Sequence, residues 1–469
     1  MDRFDCVSPL DYRYYGGNES FFRKVHPFLS ERANIKYCLK VEAALARGLA
    51  RRRVFSMDVA DEIETACANV TAEAVYEHDQ RIHHYTRALV EALRDQLSER
   101  ARPYVHLFAT SFDIVDTALA LRLRDFVREV VVPDLRALAE VLIRLALSTS
   151  DIVQVGRTHG QHAVPITFGF AVAGYVDRLG GRIERISKEA DDLRGKMSGA
   201  VGAYNSFSLQ IPDPEYLEAE ILADLGLKPN RHSTQIVQPE HFTDLMCSVA
   251  TCFGLLANIA DDMRHLQRTE IAEVYEYFSG AQVGSSTMPH KRNPWNFEHV
   301  KSMWKEFTPR ILTVLADVIS EHQRDLTNSA TRRFLPEIMI GFAEATERLT
   351  RQCGSLRVDT DSMRRHLDAS SQASMAEPIY ILLALAGLPD AHEYVRKLTL
   401  KGDITRSLID AVLADPDVAQ YLGEGTVEQL EALRVPERYT GVAIRKTHEI
   451  CTFWETALGL DVSVPLSQS

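Results

Sequence analysis

The sequence predicts an all-α protein built around a bundle of long helices, and three observations carry that expectation. Apolar residues recur in steps of three and four over long stretches: Val172, Tyr175, Leu179, Ile183, Ile186, Ala190, Leu193 and Met197 after Phe168; then Phe242, Leu245, Val249, Cys252, Leu256, Ile259, Met263 and Leu266. Two further stripes follow, through Phe297, Val300, Trp304, Phe307, Ile311, Val314 and Val318, and from Ile338 through Phe342, Ala345, Leu349 and Leu356. That spacing keeps one face of a 3.6-residue helix apolar. Only 24 glycines and 18 prolines interrupt 469 residues, too few for turn-rich β architecture. The length also exceeds one ordinary core, so two or three domains are expected, with three placed at 1–111, 112–362 and 363–469, the central one carrying the long helices and a loop at 279–294. Stripes of this extent are expected to be covered by other copies of the chain.

In chain order, residues 8–16 (SPLDYRYYG) precede a helical segment at 29–52 with apolar Ile35, Cys38, Leu39, Val41, Ala44 and Leu45. Residues 78–85 (HDQRIHHY) crowd three histidines into another helical segment. Their spacing lacks the i, i+4 pair and the carboxylate of a zinc-binding helix, so no metal is expected. Thr110 and Ser111 precede a helix, and with Asp113 they read as its N-terminal cap. Residues 156–169 (GRTHGQHAVPITFG) read as a polar loop before the next long helix, with His159 and His162 in it. Residues 271–278 keep helical spacing and a new helical pattern starts at Trp295, so 284–294 (GSSTMPHKRNP) reads as a break between two long helices.

Such a loop suits catalysis. Backbone N–H groups after a glycine form an oxyanion nest beside Ser285, and Lys291 and Asn293 are suited to hold a carboxylate that takes up charge when a neighbouring carbon loses its proton. Residues 324–333 (RDLTNSATRR) gather three arginines and several hydroxyls before a helix, the donors that a phosphate monoester requires. Beyond about residue 362 shorter helices alternate with turns.

Composition sets limits on partners. A formal net charge of −12 argues against nucleic acid, which needs a basic face. Seven scattered cysteines, none in a CxxC pair, read as core residues in a reducing compartment. The first residues lack the apolar core of a signal peptide, and no apolar run is expected to approach a membrane span. A cytoplasmic protein without a membrane partner is the expectation.

The run 284–294 resembles the loop written GSSxMPxKxNP in the fumarase/aspartase superfamily, with every specified position present, and residues 104–121 and 156–169 resemble its two other signature regions. The resemblance implies long-helix homotetrameric enzymes that eliminate fumarate, or a close relative, from a succinyl compound. It makes Ser285 the proton-abstracting base, His159 the general acid and Glu298 the carboxylate that orients it. Lys291, Asn293, Thr110, Ser111 and Thr158 become substrate ligands, Gln235 a substrate contact and His84 the site histidine. Residues 8–16, 324–333 and 436–441 resemble the adenylosuccinate lyase branch, which implies that Arg13, Tyr14, Arg324, Ser329 and Arg333 bind a nucleotide phosphate.

The implied activity is carbon–nitrogen β-elimination of fumarate from adenylosuccinate and from SAICAR, without a cofactor, at sites shared between subunits. The alternatives are an argininosuccinate- or carboxymuconate-type member and a non-catalytic crystallin-like homologue. Tyr12, Tyr85, Phe108 and Phe112 depart from the family pattern: Tyr12 and Phe108 stand for glycines, Tyr85 for an aspartate and Phe112 for a small residue.

Overall fold

The computed structural model describes residues 7–278, 287–288, 290–400 and 407–462, with backbone alone at 371–373. Helices dominate, as the apolar spacing requires. The helix Glu31–Arg51 starts at Ser30, whose hydroxyl accepts from the Ala33 N–H at 3.1 Å. It buries Ile35, Cys38, Leu39, Val41 and Leu45. The second stripe is realised end to end in Glu240–Leu266, with Leu245, Val249, Cys252, Leu256 and Ile259 buried.

That helix is long and apolar enough to cross a membrane by length and composition, which corrects the expectation that no run approaches a span. Its most apolar window has mean hydropathy 1.5, and 61% of that window is covered by the rest of the protein.

The other stripes form helices that are shorter or less regular than their apolar spacing predicts. The first ends as a helix at Asp191, because Arg194–Gly195 leaves to pair in parallel with Lys228–Pro229. The third is cut by the 3₁₀ turn Thr308–Arg310, where Pro309 has no N–H to continue the ladder. The fourth begins earlier, in the helix Ser329–Gly354.

Residues 271–278 are not helical either: Val274–Tyr275 forms a short strand antiparallel to Arg357–Val358. Residues 156–169 hold no open loop. Strands Val153–Thr158 and Gln161–Thr167 form a hairpin whose two-residue turn, His159-Gly160, has φ of +56° and +74°. Two positive φ values match strand twist in a tight hairpin, and glycine makes the second one free of strain.

Packing divides the chain into two compact units, each discontinuous in sequence. One comprises Met1–Leu135, Gly181–Ala257 and Val300–Glu347; the other Arg136–Gly180, Asn258–His299 and Arg348–Ser469. Every boundary falls inside a helix, so the units interleave along the chain whereas the three expected domains are consecutive.

In the first unit the Lys196 ammonium and the Asp113 carboxylate pair with no exposure to solvent. In the second, Met375, Ile379, Leu383, Val395, Leu408 and Val412 form a small core. There, too, the Trp454 indole N–H donates to Asp177 at 2.8 Å, and its ring occupies the space that a Cβ at Gly180 would need. The described cysteines are free and mostly buried, and burial raises the thiols of Cys38, Cys252 and Cys353 to about 12, as expected of core residues.

Candidate functional site

In the first unit, a cleft of about 920 Å³ is built on two helices. The helix Ser111–Phe126 lines it with Ser111, Phe112, Val115, Leu119 and Arg122, positions that fall on one helical face. The helix Ser329–Gly354 adds Ser329, Arg332, Arg333 and Pro336 from its first turns, and Arg324 stands just before it. His84 and Tyr85 complete the lining at the start of the helix Tyr85–Asp95. Five residues expected at a site, His84, Ser111, Arg324, Ser329 and Arg333, are therefore brought together.

The start of the Ser111–Phe126 helix is held from below. Buried Asp113 accepts from the Thr110 N–H at 2.8 Å and from the Ser198 N–H at 2.9 Å, in addition to pairing with Lys196. Thr110 caps the helix, as the sequence reads, and Ser111 begins it in the cleft. Phe108 has φ of +67°, so the phenylalanine occupies a backbone conformation that favours glycine, a strain of about 1 kcal/mol. Its ring packs against Phe207 at 5.7 Å, and its carbonyl accepts from the Ser206 hydroxyl at 2.5 Å.

Phe112 is a platform for cations. The Arg324 guanidinium lies 4.5 Å and that of Arg332 5.2 Å from its ring centroid, contacts a small residue does not offer. Arg332 is neutralised by Asp116. Arg324 donates to Asn328 at 2.5 Å, yet its buried Nε has no partner, and burial together with Arg332 lowers its pKa. Arg333 is exposed and forms no hydrogen bond or ion pair among the described residues. This end of the cleft offers unmatched donors at a helix N-terminus, a setting suited to an anion.

Other residues of the first unit stand apart. Arg13 is exposed in the π-helical turn Leu10–Tyr14, and the cleft is lined by Asp11 and Tyr15 in place of Arg13 and Tyr14. Burial and Asp11 raise the Tyr15 phenol to about 12. The Gln235 N–H donates to the Gln323 carbonyl at 3.2 Å, tying that loop to the residue before Arg324. His84 caps its helix, its Nδ1 accepting from the Arg87 N–H at 3.2 Å, and His78 pairs with Asp95 at 2.7 Å. Tyr85 accepts from the Asn34 amide at 2.9 Å.

In the second unit, His159 and Thr158 are exposed at the hairpin tip. The strand beneath is anchored by Arg157, which donates twice to fully buried Glu273 at 3.0 and 2.6 Å; Gln154 and His366 also bond to that carboxylate, at 2.6 and 2.7 Å. Burial opposes the charged form of Glu273, but those bonds outweigh it and its pKa is lowered. A separate cleft of about 1320 Å³ is lined by His290, Lys291, Asn293, Glu298, Arg264 and Arg357 among others. Glu298 lies exposed in the first turn of Trp295–Phe307, and no hydrogen bond joins it to His159. Ser285 and the rest of residues 279–286, with Pro289, lie outside the described residues.

Sequence reading missed Arg332, Tyr15, Arg122 and the purpose of Phe112. Two of these had a local signal: Arg332 belongs to the arginine-rich stretch 324–333, and Arg122 follows the apolar run Ala118-Leu119-Ala120-Leu121 on the face that carries Ser111. The hairpin was also legible, since β-branched Val153, Val155, Val164 and Ile166 flank His159-Gly160.

A family model described as "Lyase" matches residues 19–306, and one described as "Adenylosuccinate lyase C-terminal" matches residues 320–440. The chain is 38% identical over 457 residues to the adenylosuccinate lyase of Pyrococcus abyssi, covering 96% of this chain and 98% of the relative. It is 34% identical to the adenylosuccinate lyase of Archaeoglobus fulgidus, covering 95% and 98%. Among solved structures, the 3-carboxy-cis,cis-muconate lactonizing enzyme from Pseudomonas putida aligns with a TM-score of 0.80 at 26% identity, over 94% of this chain and 100% of that one. A fumarate lyase from Mesorhizobium sp. aligns with a TM-score of 0.81 at 25% identity, over 92% and 97%.

Fold and family models together define a long-helix lyase. Within that class, the chain belongs to the adenylosuccinate lyase family.

Proposed function

We propose that this chain removes fumarate from adenylosuccinate, giving AMP, and from SAICAR, giving AICAR, in purine biosynthesis. The observation that carries the reading to a nucleotide is the cleft end where Arg324, with a buried Nε left without a partner, stands beside Ser329 and Arg333 at the start of a helix. A protein of net charge −12 gathers such donors locally if it must attract an anion. Incubation with adenylosuccinate, following the absorbance change on fumarate release, tests the reading; absence of turnover would remove it.

The chemistry requires loss of a proton beside a carboxylate, followed by departure of nitrogen. In this proposal Ser285 takes the proton, Lys291 and Asn293 stabilise the charge delocalised into the carboxylate, and His159, oriented by Glu298, protonates the leaving nitrogen. Thr110, Ser111, Thr158, Gln235 and His84 hold the succinyl and purine parts, and Arg13 and Tyr14 assist at the phosphate. Base and acid must start in opposite protonation states, so activity should show two pH limbs.

The enzyme is proposed to be a cytoplasmic homotetramer of three-domain subunits with shared sites. Within one chain no hydrogen bond joins Glu298 to His159 and both are exposed, which supports sharing, since an orienting carboxylate from another copy would complete the pair. Light scattering should return the tetramer mass; an active monomer would exclude shared sites. Arg333→Ala is expected to weaken AMP binding about ten- to a hundredfold, the worth of one charge-assisted contact of about 1.5–3 kcal/mol, with kcat less affected. Unchanged affinity by calorimetry would remove Arg333 from the phosphate set.

A further inference from the structure

We infer that Arg122 is a further substrate-binding residue, its guanidinium receiving an oxyanion of the ligand in the same cleft as Arg324 and Ser329. The inference rests on reading that cleft as the nucleotide-binding part of the site. Arg122 lines it while being only 5% exposed. Its Nε is buried without a partner, and among the described residues no carboxylate, carbonyl or hydroxyl accepts a bond from any of its nitrogens.

Such a state is unusual for a buried charge, because a guanidinium taken out of water needs replacements for the bonds it loses. Two residues on, Arg124 shows the ordinary solution: it is 7% exposed and donates to the carbonyls of Leu225 and Gly226 at 2.8 and 2.6 Å and to Asp125. Arg122 has no equivalent. Glu31, on the same wall, acts on Arg122 electrostatically, yet it forms no ion pair with it and accepts instead from Asn34 at 3.2 Å. The Tyr85 hydroxyl beside it is likewise engaged by Asn34. Burial lowers the Arg122 pKa, though an arginine stays protonated at neutral pH.

Position strengthens the case. Phe112 and Arg122 lie ten residues apart on one helix, about 15 Å along its axis, and both face the cleft. The cations stacked on Phe112 and the guanidinium of Arg122 thus address two places along an extended ligand. A phosphate oxygen or a succinyl carboxylate supplies the acceptors that a five-donor fork requires.

Arg122→Met, which keeps approximate volume without charge, and Arg122→Lys, which keeps the charge but loses the fork, test this in the full-length protein. AMP and fumarate are the probes, read by calorimetry and thermal shift. The Met variant should melt at or above the wild-type temperature without ligand, since it strands no partner, and should lose about ten- to a hundredfold in affinity for at least one probe. Loss confined to AMP assigns the phosphate end, and loss confined to fumarate assigns a carboxylate. Wild-type affinity for both probes overturns the inference; a lowered melting temperature with unchanged affinity identifies Arg122 as structural. If the Met variant does not fold, the Lys variant is read by the same affinity criterion. A wild-type protein that does not bind AMP would remove the nucleotide reading and this inference with it, whereas equal AMP and fumarate binding by wild type and variant removes the inference alone.

Discussion

His159→Asn is expected to lower turnover by about 10²- to 10⁴-fold while leaving substrate affinity and melting temperature close to wild type. Asparagine is the apt replacement because position 159 has φ of +56°, which Asn tolerates better than most side chains. The ring is exposed at a turn whose strand is anchored through Arg157 and Glu273, so removing it leaves those bonds in place. Steady-state kinetics with thermal melting checks the result. Turnover near the wild-type rate would mean that the leaving nitrogen is protonated elsewhere, with His162 the next group to replace. In a tetramer with shared sites, mixing this variant with Ser285→Ala should restore part of the activity; inactive hybrids seen by native mass spectrometry would count against that sharing.

Lys196→Met should cost about 3–5 kcal/mol of stability, because it strips the countercharge from a buried carboxylate. Lys196 and Asp113 are both fully buried, and after the change Asp113 would keep only backbone N–H donors. The loss should reach the cleft, since the same carboxylate holds Thr110 at the start of the helix that presents Ser111, Phe112 and Arg122. Urea denaturation gives the stability, and AMP affinity gives the second effect. A loss below about 1 kcal/mol would place the pair in the range of exposed ion pairs and show that water reaches it. Replacing both residues, with Asp113→Leu added, should recover part of the stability without restoring affinity.

The helices were legible because apolar periodicity is a property of neighbouring residues. Glu240–Leu266 follows its stripe from end to end. Legibility failed where a distant partner competed: Val274–Tyr275 became a strand because Arg357–Val358 was there to pair with it, and Arg194–Gly195 left its helix for Lys228–Pro229. Pro309 is the local exception, a break visible in the sequence that the regular stripe obscured. At the cleft, the arginine-rich stretch 324–333 announced anion chemistry by composition, yet its two cations nearest Phe112 differ in state. Arg332 is matched by Asp116, while Arg324 keeps a buried donor free.

By itself the sequence determined the helical class, the lyase family and the identities of the polar residues around the cleft, all of which follow from local spacing and motif. Only the tertiary structure decided that Arg13 turns to solvent, that His159 sits at the positive-φ tip of a tight hairpin turn, and that Arg122 is buried without a hydrogen-bond acceptor among the described residues. The reason is physical: a side chain's charge is written in its own residue, but its desolvation and the partners left to it depend on segments far away in the chain that fold against it.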